Sequence, residues 1–414
     1  MAKSLIFIDL KKNYDSFHPL IQESTALIDI SDIFGQGGDD YLEHLYSGRG
    51  ADLLHASHNQ FESCKKLLPG SKSITIAVRP DFVGEAVSFA LMNMLEIKNK
   101  DATLLPLSTL SLKLLQQKTK PSPTRPFALG MLERFISLDQ VFSEHVRKVL
   151  HIRSKKLPVF GLGAAFALEL LCRQENAQPQ AAPPQKQIYA RFTHKGRKIN
   201  ATLTKINGRQ AEVQDNHVAK ALLIDLKEQT FALKGLRKKQ IRKSPLSPLN
   251  KTKLYTAAEK HLNFSPQKTR ALARDLYAAR DIGLKSPAGL ITYPFSTSYY
   301  IPEEELLAAR EFILINYGKE YLPDKANSFA TDAPNGIGAV RPARLSKPPQ
   351  KVKKYLSEDE HALYTLIWNR HLAAQMIEAL FEQQDVKISG GPKSRYVFTA
   401  QSRHIIRRGY LQLY

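Results

Sequence analysis

Residues 289–298 read Gly289-Leu290-Ile291-Thr292-Tyr293-Pro294-Phe295-Ser296-Thr297-Ser298, a short apolar run that ends in a tyrosine and a hydroxyl-rich turn. A phenol can attack a phosphorus centre only under two conditions. Its proton, with a pKa of about 10, must be removed or shared. The charge that develops on the phosphate must also meet an arginine or a metal. Phe295 supplies neither charge nor a donor. Without those partners, Tyr293 is a packing residue or a platform on which a base could stack.

The composition points the same way. Lysine and arginine number 60 against 39 acidic residues, a formal charge of +21. A polyanion carries condensed counterions, and basic residues gain free energy by releasing them, so the charge points to a nucleic-acid partner, with a solvated basic surface as the alternative. The chain of 414 residues is long enough for several domains, and its hydrophobic fraction of 43% suffices for ordinary cores. No apolar run approaches the roughly 18 residues needed to cross a bilayer, which argues against a membrane partner. The N-terminus reads as a buried strand rather than a signal peptide. Cys64 and Cys172 are too few for a zinc ribbon and suggest a reducing compartment.

These residues must be positioned by the elements around them. Ser4–Asp9 and Ile74–Val78 read as strands, and Gly84–Leu95 as a helix with Ala86, Phe89, Ala90 and Leu95 near one face: an α/β layer. Residues 130–176 read as helical, and Gln174–Gln187, rich in Gln, Ala and Pro, as a linker. Ile188–Phe192 and Ile199–Leu203 flank a Lys195-Gly196 turn and predict antiparallel strands. A basic cluster follows at Arg237-Lys238-Lys239 and Arg242-Lys243. Ser357 stands three residues before Glu360, a capping-box signature, and opens a helix expected to run to Gln383. Tyr396–Ala400 and Tyr410–Tyr414 read as strands.

The tyrosine segment resembles the active-site segment of type IA DNA topoisomerases, Gly-Leu-Ile-Thr-Tyr-x-Arg-Thr-Asp-Ser. Further motifs follow in family order: Ser247–Leu254, Phe264–Thr269, Leu276-Tyr277, Tyr317-Gly318, Glu320–Pro323, Leu363–Arg370 and Ala374-Gln375-Met376. The resemblance implies an α+β multidomain fold. A degenerate Toprim-like α/β domain (1–125) would be followed by a helical segment and linker (126–187). An incomplete toroid would come next: a gate-hinge β domain (188–250, returning at 384–414) and a helical domain with the tyrosine (251–383). The family's closing motifs do not appear before residue 414, so the ring is expected to need another chain, and a protein partner could meet it there.

The same comparison implies site roles. Tyr293 takes the nucleophile position. Nucleic-acid contacts fall at Arg341, Thr292, Ser296, Ser298, Lys251, Thr252, Lys268 and Arg370. The polar machinery departs from the pattern. Phe295 replaces an arginine and Thr297 an aspartate; Ile337 and Gly338 replace a histidine and a glutamate; Leu162 replaces an arginine. In the Toprim acidic triad, Arg79 and Val83 replace acids, leaving Asp81 and, from the N-terminal strand, Asp9 as remnants. Asn13 stands where the family has lysine. Mg²⁺ favours octahedral oxygen ligation, and Arg79 opposes it: at an effective dielectric of about 20, unit charges about 4 Å apart repel by about 4 kcal/mol. An ion pair of Arg79 with Asp81 or Asp9 is expected instead, with no metal cofactor. His361, His371 and His404 lack ligand spacing and read as surface or packing residues. The implied function is binding of single-stranded or locally melted DNA without cleavage. The alternatives are weak type IA cleavage through Tyr293, which would use Mg²⁺, or a regulatory subunit of a DNA-processing complex. Tyr299 and Tyr300, with Tyr293 and Phe295, could stack on bases or pack as core.

Overall fold

The computed structural model describes residues 4–8, 11–21, 25–30, 58–81, 84–85, 87–88, 91–92, 95–98, 101–116, 145, 162–177, 187–194, 196–213, 215–330 and 337–414. Asp9, Val83, Ala86, Phe89, Ala90 and most of the helix expected over 130–176 lie outside these residues. The chain divides into two compact units, one from residues 1–166 with 246–376, the other from 167–245 with 377–414.

The first unit opens with a four-stranded parallel sheet: β1 (Ser4–Ile8), β2 (Thr25–Asp29), β3 (Ser73–Val78) and β4 (Ala102–Pro106), in the order β2-β1-β3-β4. Parallel strands are covered on both faces, which explains why β1 reads as an unbroken apolar run rather than an alternation. Leu5, Phe7, Ile76 and Val78 pack with Val87, Leu91, Met92 and Leu95 in one core. The described residues 84–85, 87–88 and 91–92 are helical, as the sequence suggests.

The rest of this unit is helical. The helix Lys251–Leu262 is capped by Asn250, whose Oδ1 accepts from Lys253 N at 2.9 Å. The helix Pro266–Tyr277 starts on Ser265 with proline in its first turn, and buries Thr269, Ala273, Leu276 and Tyr277 along one face. The helix Glu303–Tyr317 carries three glutamates in its first turn, where the helix dipole favours them. The helix Glu358–Gln375 begins with the expected capping box: Ser357 N donates to Glu360 Oε2 at 2.9 Å, and Glu360 N to Ser357 Oγ at 3.3 Å. It is largely buried from Leu363 onward, with Tyr364, Trp368 and His371 inside.

The second unit is a six-stranded antiparallel sheet. β5 (Tyr189–His194) and β6 (Arg197–Ile206) pair across the turn that carries Gly196, as expected, and β7 (Arg209–Gln210) pairs with β6. β8 (Phe231–Lys243), β9 (Ala379–Gly390) and β10 (Tyr396–Arg407) complete the order β5-β6-β10-β9-β8. Phe192, Phe231 and Phe398 meet edge to face at 5.2–5.5 Å between centroids, under the helix Asn216–Glu228.

Three local expectations are corrected. The helix expected to reach Gln383 stops at Gln375, and Ala379–Gly390 is a strand. The run Glu378-Ala379-Leu380-Phe381-Glu382-Gln383 suits a helix locally, but strand partners on both sides, β8 and β10, override propensity. Gly409–Leu413 is a 3₁₀ turn rather than a strand; Tyr410 N donates to Ile377 O at 2.9 Å and pins it to the start of the returning chain. The helix Leu162–Ala177 runs into the expected linker by one turn.

Candidate active site

The segment 289–300 has almost no regular structure, yet its backbone is tied down along its length. Gly289 N donates to Leu110 O, Leu290 N to Leu276 O, Thr292 N to Arg341 O and Tyr293 N to Ser108 O, all at 2.9–3.0 Å. Gly289 is required by a close approach: a Cβ there would collide with the Tyr277 carbonyl. The segment is therefore threaded between residues 107–111, the helix Pro266–Tyr277 and the strand-like stretch 339–343.

Tyr293 is only 4% exposed. Its ring lies edge to face against Tyr277 at 5.7 Å and Phe295 at 5.5 Å. Its hydroxyl donates to Asp81 Oδ2 in a short hydrogen bond. The other oxygen, Oδ1, accepts from Gly84 N at 2.9 Å, and Asp81 O accepts from Glu85 N at 3.0 Å. Asp81 is thus the N-cap of the helix that follows β3 and, with its second oxygen, the anchor of a phenol far away in sequence. Gly84 permits this turn, since a Cβ there would collide with the Arg79 carbonyl. Burial drives the Tyr293 phenol far above its ordinary pKa; the negative Asp81 adds to the rise, and the positive charge of Arg79 offsets part of it.

The expected contact residues divide into two groups. Thr292, Ser296 and Ser298 are buried, and their hydroxyls serve the local backbone. Thr292 Oγ1 donates to Ala339 O at 2.9 Å and accepts from Arg341 N at 3.1 Å. Ser296 Oγ accepts from Ser298 N at 3.1 Å, and Ser298 Oγ from Tyr300 N at 3.0 Å. Arg341 and Arg370 are also buried. Arg341 Nη2 lies 3.6 Å from Glu305 Oε1, and burial lowers its pKa against the raising effect of that glutamate. Lys251, Thr252 and Lys268 are exposed in the first turns of their helices. Lys268 pairs with Asp359 at 2.7 Å and lies over the Phe264 ring at 4.1 Å.

The replaced positions are equally clear. Phe295 is half-buried against Tyr293, with the Arg270 guanidinium 5.9 Å from its ring centre. Ile337 and Gly338 are half-buried, Thr297 is exposed, and Leu162 opens its helix. Asn13 accepts from Ala279 N at 3.2 Å, and Ser16 donates to Ala279 O at 2.7 Å, so the helix Lys11–Phe17 grips the end of the helix that carries Tyr277. Tyr299 and Tyr300 are half-buried. His361 meets Pro349 O at 3.2 Å, and His404 is exposed. His371 is buried beside Arg341; burial first, and that cation second, push its pKa down to about 3, so it is neutral. Tyr277, against Tyr293, and Arg270, over Phe295, were not singled out as site residues from sequence. The spacing of buried positions along Pro266–Tyr277 was the available signal for Tyr277; Arg270, exposed one helical heptad earlier, had none.

The chain is similar to known proteins. The family model described as DNA topoisomerase matches residues 148–414. DNA topoisomerase 1 of Xylella fastidiosa, strain Temecula1, is 26% identical over 378 residues, covering 88% of this chain and 46% of that protein. The same protein of strain 9a5c is likewise 26% identical over 378 residues. The chain therefore spans about half the length of the curated relatives it matches. Full-length topoisomerase I from Thermotoga maritima matches in structure with a TM-score of 0.75 at 18% identity, over 99% of this chain and 67% of that one. The fold is thus the mixed α/β fold of topoisomerase I. The chain belongs to the type IA DNA topoisomerase family, as the motif order implied.

Proposed function

We propose that this chain binds single-stranded or locally melted DNA on a type IA framework without cleaving it. The parallel-sheet layer is, on this reading, a degenerate Toprim-like domain, and the helical region and antiparallel sheet are parts of the family's toroid. The observation that supports the loss of cleavage is the enclosure of Tyr293. Attack on a phosphodiester needs the phenol released, deprotonated and set beside a cation. Here it is buried between two aromatic rings and bonded to a carboxylate, and both burial and the Asp81 charge oppose the phenolate. Phe295 fills the position where the family resemblance expects arginine; loss of one such donor typically costs about 2.7–4 kcal/mol in barrier.

The residues present do not fit Mg²⁺. Both oxygens of Asp81 already accept hydrogen bonds, the Arg79 charge acts on the same locus, and among the described residues there is no group of three potential ligands. We therefore assign no metal-dependent step. Among the described residues no helix is long and apolar enough to cross a membrane; a nucleoid-associated, cytoplasmic location belongs to the same proposal.

One observation favours a second reading. Tyr293 donates directly to a carboxylate oxygen, the geometry a general base would use. Weak cleavage through Tyr293 would follow. The test is incubation with a single-stranded oligonucleotide, denaturation and a search for a covalent adduct. No adduct is expected, and Phe295→Arg alone should not create one. An adduct that forms with the native chain and disappears in Tyr293→Phe would make this an enzyme. Binding itself is read by anisotropy: single strands should be preferred over duplex, with a log–log salt slope of about −0.7 per phosphate neutralised. Absence of binding would favour the reading as a protein-binding subunit.

A further inference from the structure

The second unit carries a charged surface that the tyrosine site does not use. Direct cross-strand neighbours share a sheet face, so the registers sort the side chains of β8, β9 and β10. One face carries Ile388 and Phe398, which pack in the core with the helix Asn216–Glu228, and an exposed Leu233 across from Ile388. Farther along this face, Lys238 pairs with Glu382 at 3.4 Å and Arg242 with Glu378 at 3.1 Å. Its charges are largely balanced.

The opposite face differs. Arg237 stands across from Asp385 and Gln401, Lys239 across from Gln383 and Arg403, Lys387 across from Thr399, and Lys243 across from Ala379. Its one acid, Asp385, is held within the sheet: it accepts from Gln383 and Gln401 at 2.8 Å each and meets Lys239 at 3.5 Å. Arg403 is fixed by Gln383 Oε1 at 2.8 Å and Gln401 Oε1 at 3.3 Å. Arg237, Lys243 and Lys387 are exposed and make no ion pair among the described residues. Arg237 and Lys239 stand two residues apart on β8, about 6.8 Å, Lys243 follows on the same face beyond Ile241, and Lys387 lies on β9, so the cations run along the strands as the charges of an extended phosphodiester backbone do.

We propose that this face of the antiparallel sheet is a second nucleic-acid site, which takes the phosphate backbone of a single strand. It rests on the single-strand binding proposed above and assigns part of that binding to the second unit. Asp385 and the two glutamines hold Arg403 in place, while Arg237, Lys243 and Lys387 supply the unbalanced charge. The balanced face across the sheet serves as an internal control.

The experiment measures oligonucleotide affinity of the full chain by anisotropy across a salt series. One variant combines Arg237→Gln, Lys243→Gln and Lys387→Gln, none of which breaks an ion pair or a side-chain hydrogen bond described above. The control combines Lys238→Gln and Arg242→Gln on the other face. Far-ultraviolet dichroism checks that both remain folded. The triple variant should lose about 2 from the magnitude of the salt slope, about 0.7 per cation removed, and the control should keep the native slope. A triple variant with the native slope overturns the second site while leaving single-strand binding intact. Equal losses in both variants overturn it too, because the charge would then act diffusely. A native chain that binds no oligonucleotide refutes this site together with the reading it rests on.

Discussion

Asp81 carries two structural duties, and removing it should expose both. Asp81→Ala deletes the cap on Gly84 N and the acceptor of the Tyr293 hydroxyl. Loss of an N-cap costs about 1 kcal/mol. A hydrogen bond to a charged group contributes about 1.5–3 kcal/mol, and the buried phenol left without an acceptor pays a desolvation cost in that range. The expected total is about 2.5–4 kcal/mol. Asp81→Asn keeps the cap, since Asn and Asp cap almost equally, and should cost only the part due to the lost charge. Tyr293→Phe removes the same hydrogen bond from the other side. The double variant should therefore be less damaging than the sum of the singles, with a coupling of about 1.5–3 kcal/mol. Trp368, the single tryptophan, is buried in the first unit and reports its unfolding by fluorescence. Urea titration followed through that signal gives the stabilities without assuming that both units melt together. A coupling below about 0.5 kcal/mol, the usual scatter of additivity, would refute the clamp.

Three further outcomes follow from the same geometry. The Tyr293 phenol is raised in the folded state by burial and by Asp81, so the native chain holds a proton that the unfolded chain loses above about pH 10; stability should be constant below that pH and fall above it by up to about 1.4 kcal/mol per pH unit, and Tyr293→Phe should flatten the fall. Gly84→Ala forces a Cβ into the Arg79 carbonyl and should shift the turn that presents Asp81, with a loss of more than about 2 kcal/mol on thermal melting; a neutral effect would show the turn is pliable. Calorimetric titration with Mg²⁺ should find no micromolar site, and a single tight site abolished by Asp81→Ala would reverse the assignment of that carboxylate.

The sequence by itself determined the family, because motif order along a chain is a linear property that survives the loss of individual polar residues. It determined the hairpin of β5 and β6 and the capping box at Ser357, because turn and cap chemistry acts over a few neighbouring residues. It also marked Tyr293 as the focus and Phe295 as a departure beside it. Only the tertiary structure decided what Tyr293 touches. Asp81 lies 212 residues before it, and no local pattern encodes a hydrogen bond across that separation. The hydroxyls of Thr292, Ser296 and Ser298 looked available to a ligand, yet a segment without regular structure must satisfy its backbone somehow, and these side chains do so. Residues 379–383 suit a helix by composition and became a strand because β8 and β10 offered partners on both sides. The two faces of the antiparallel sheet follow the same logic. The basic residues are visible in the sequence, but which of them share a face, and which are cancelled by an acid, is set by strand register. For β8 that register is fixed by pairing with β9, more than 100 residues away.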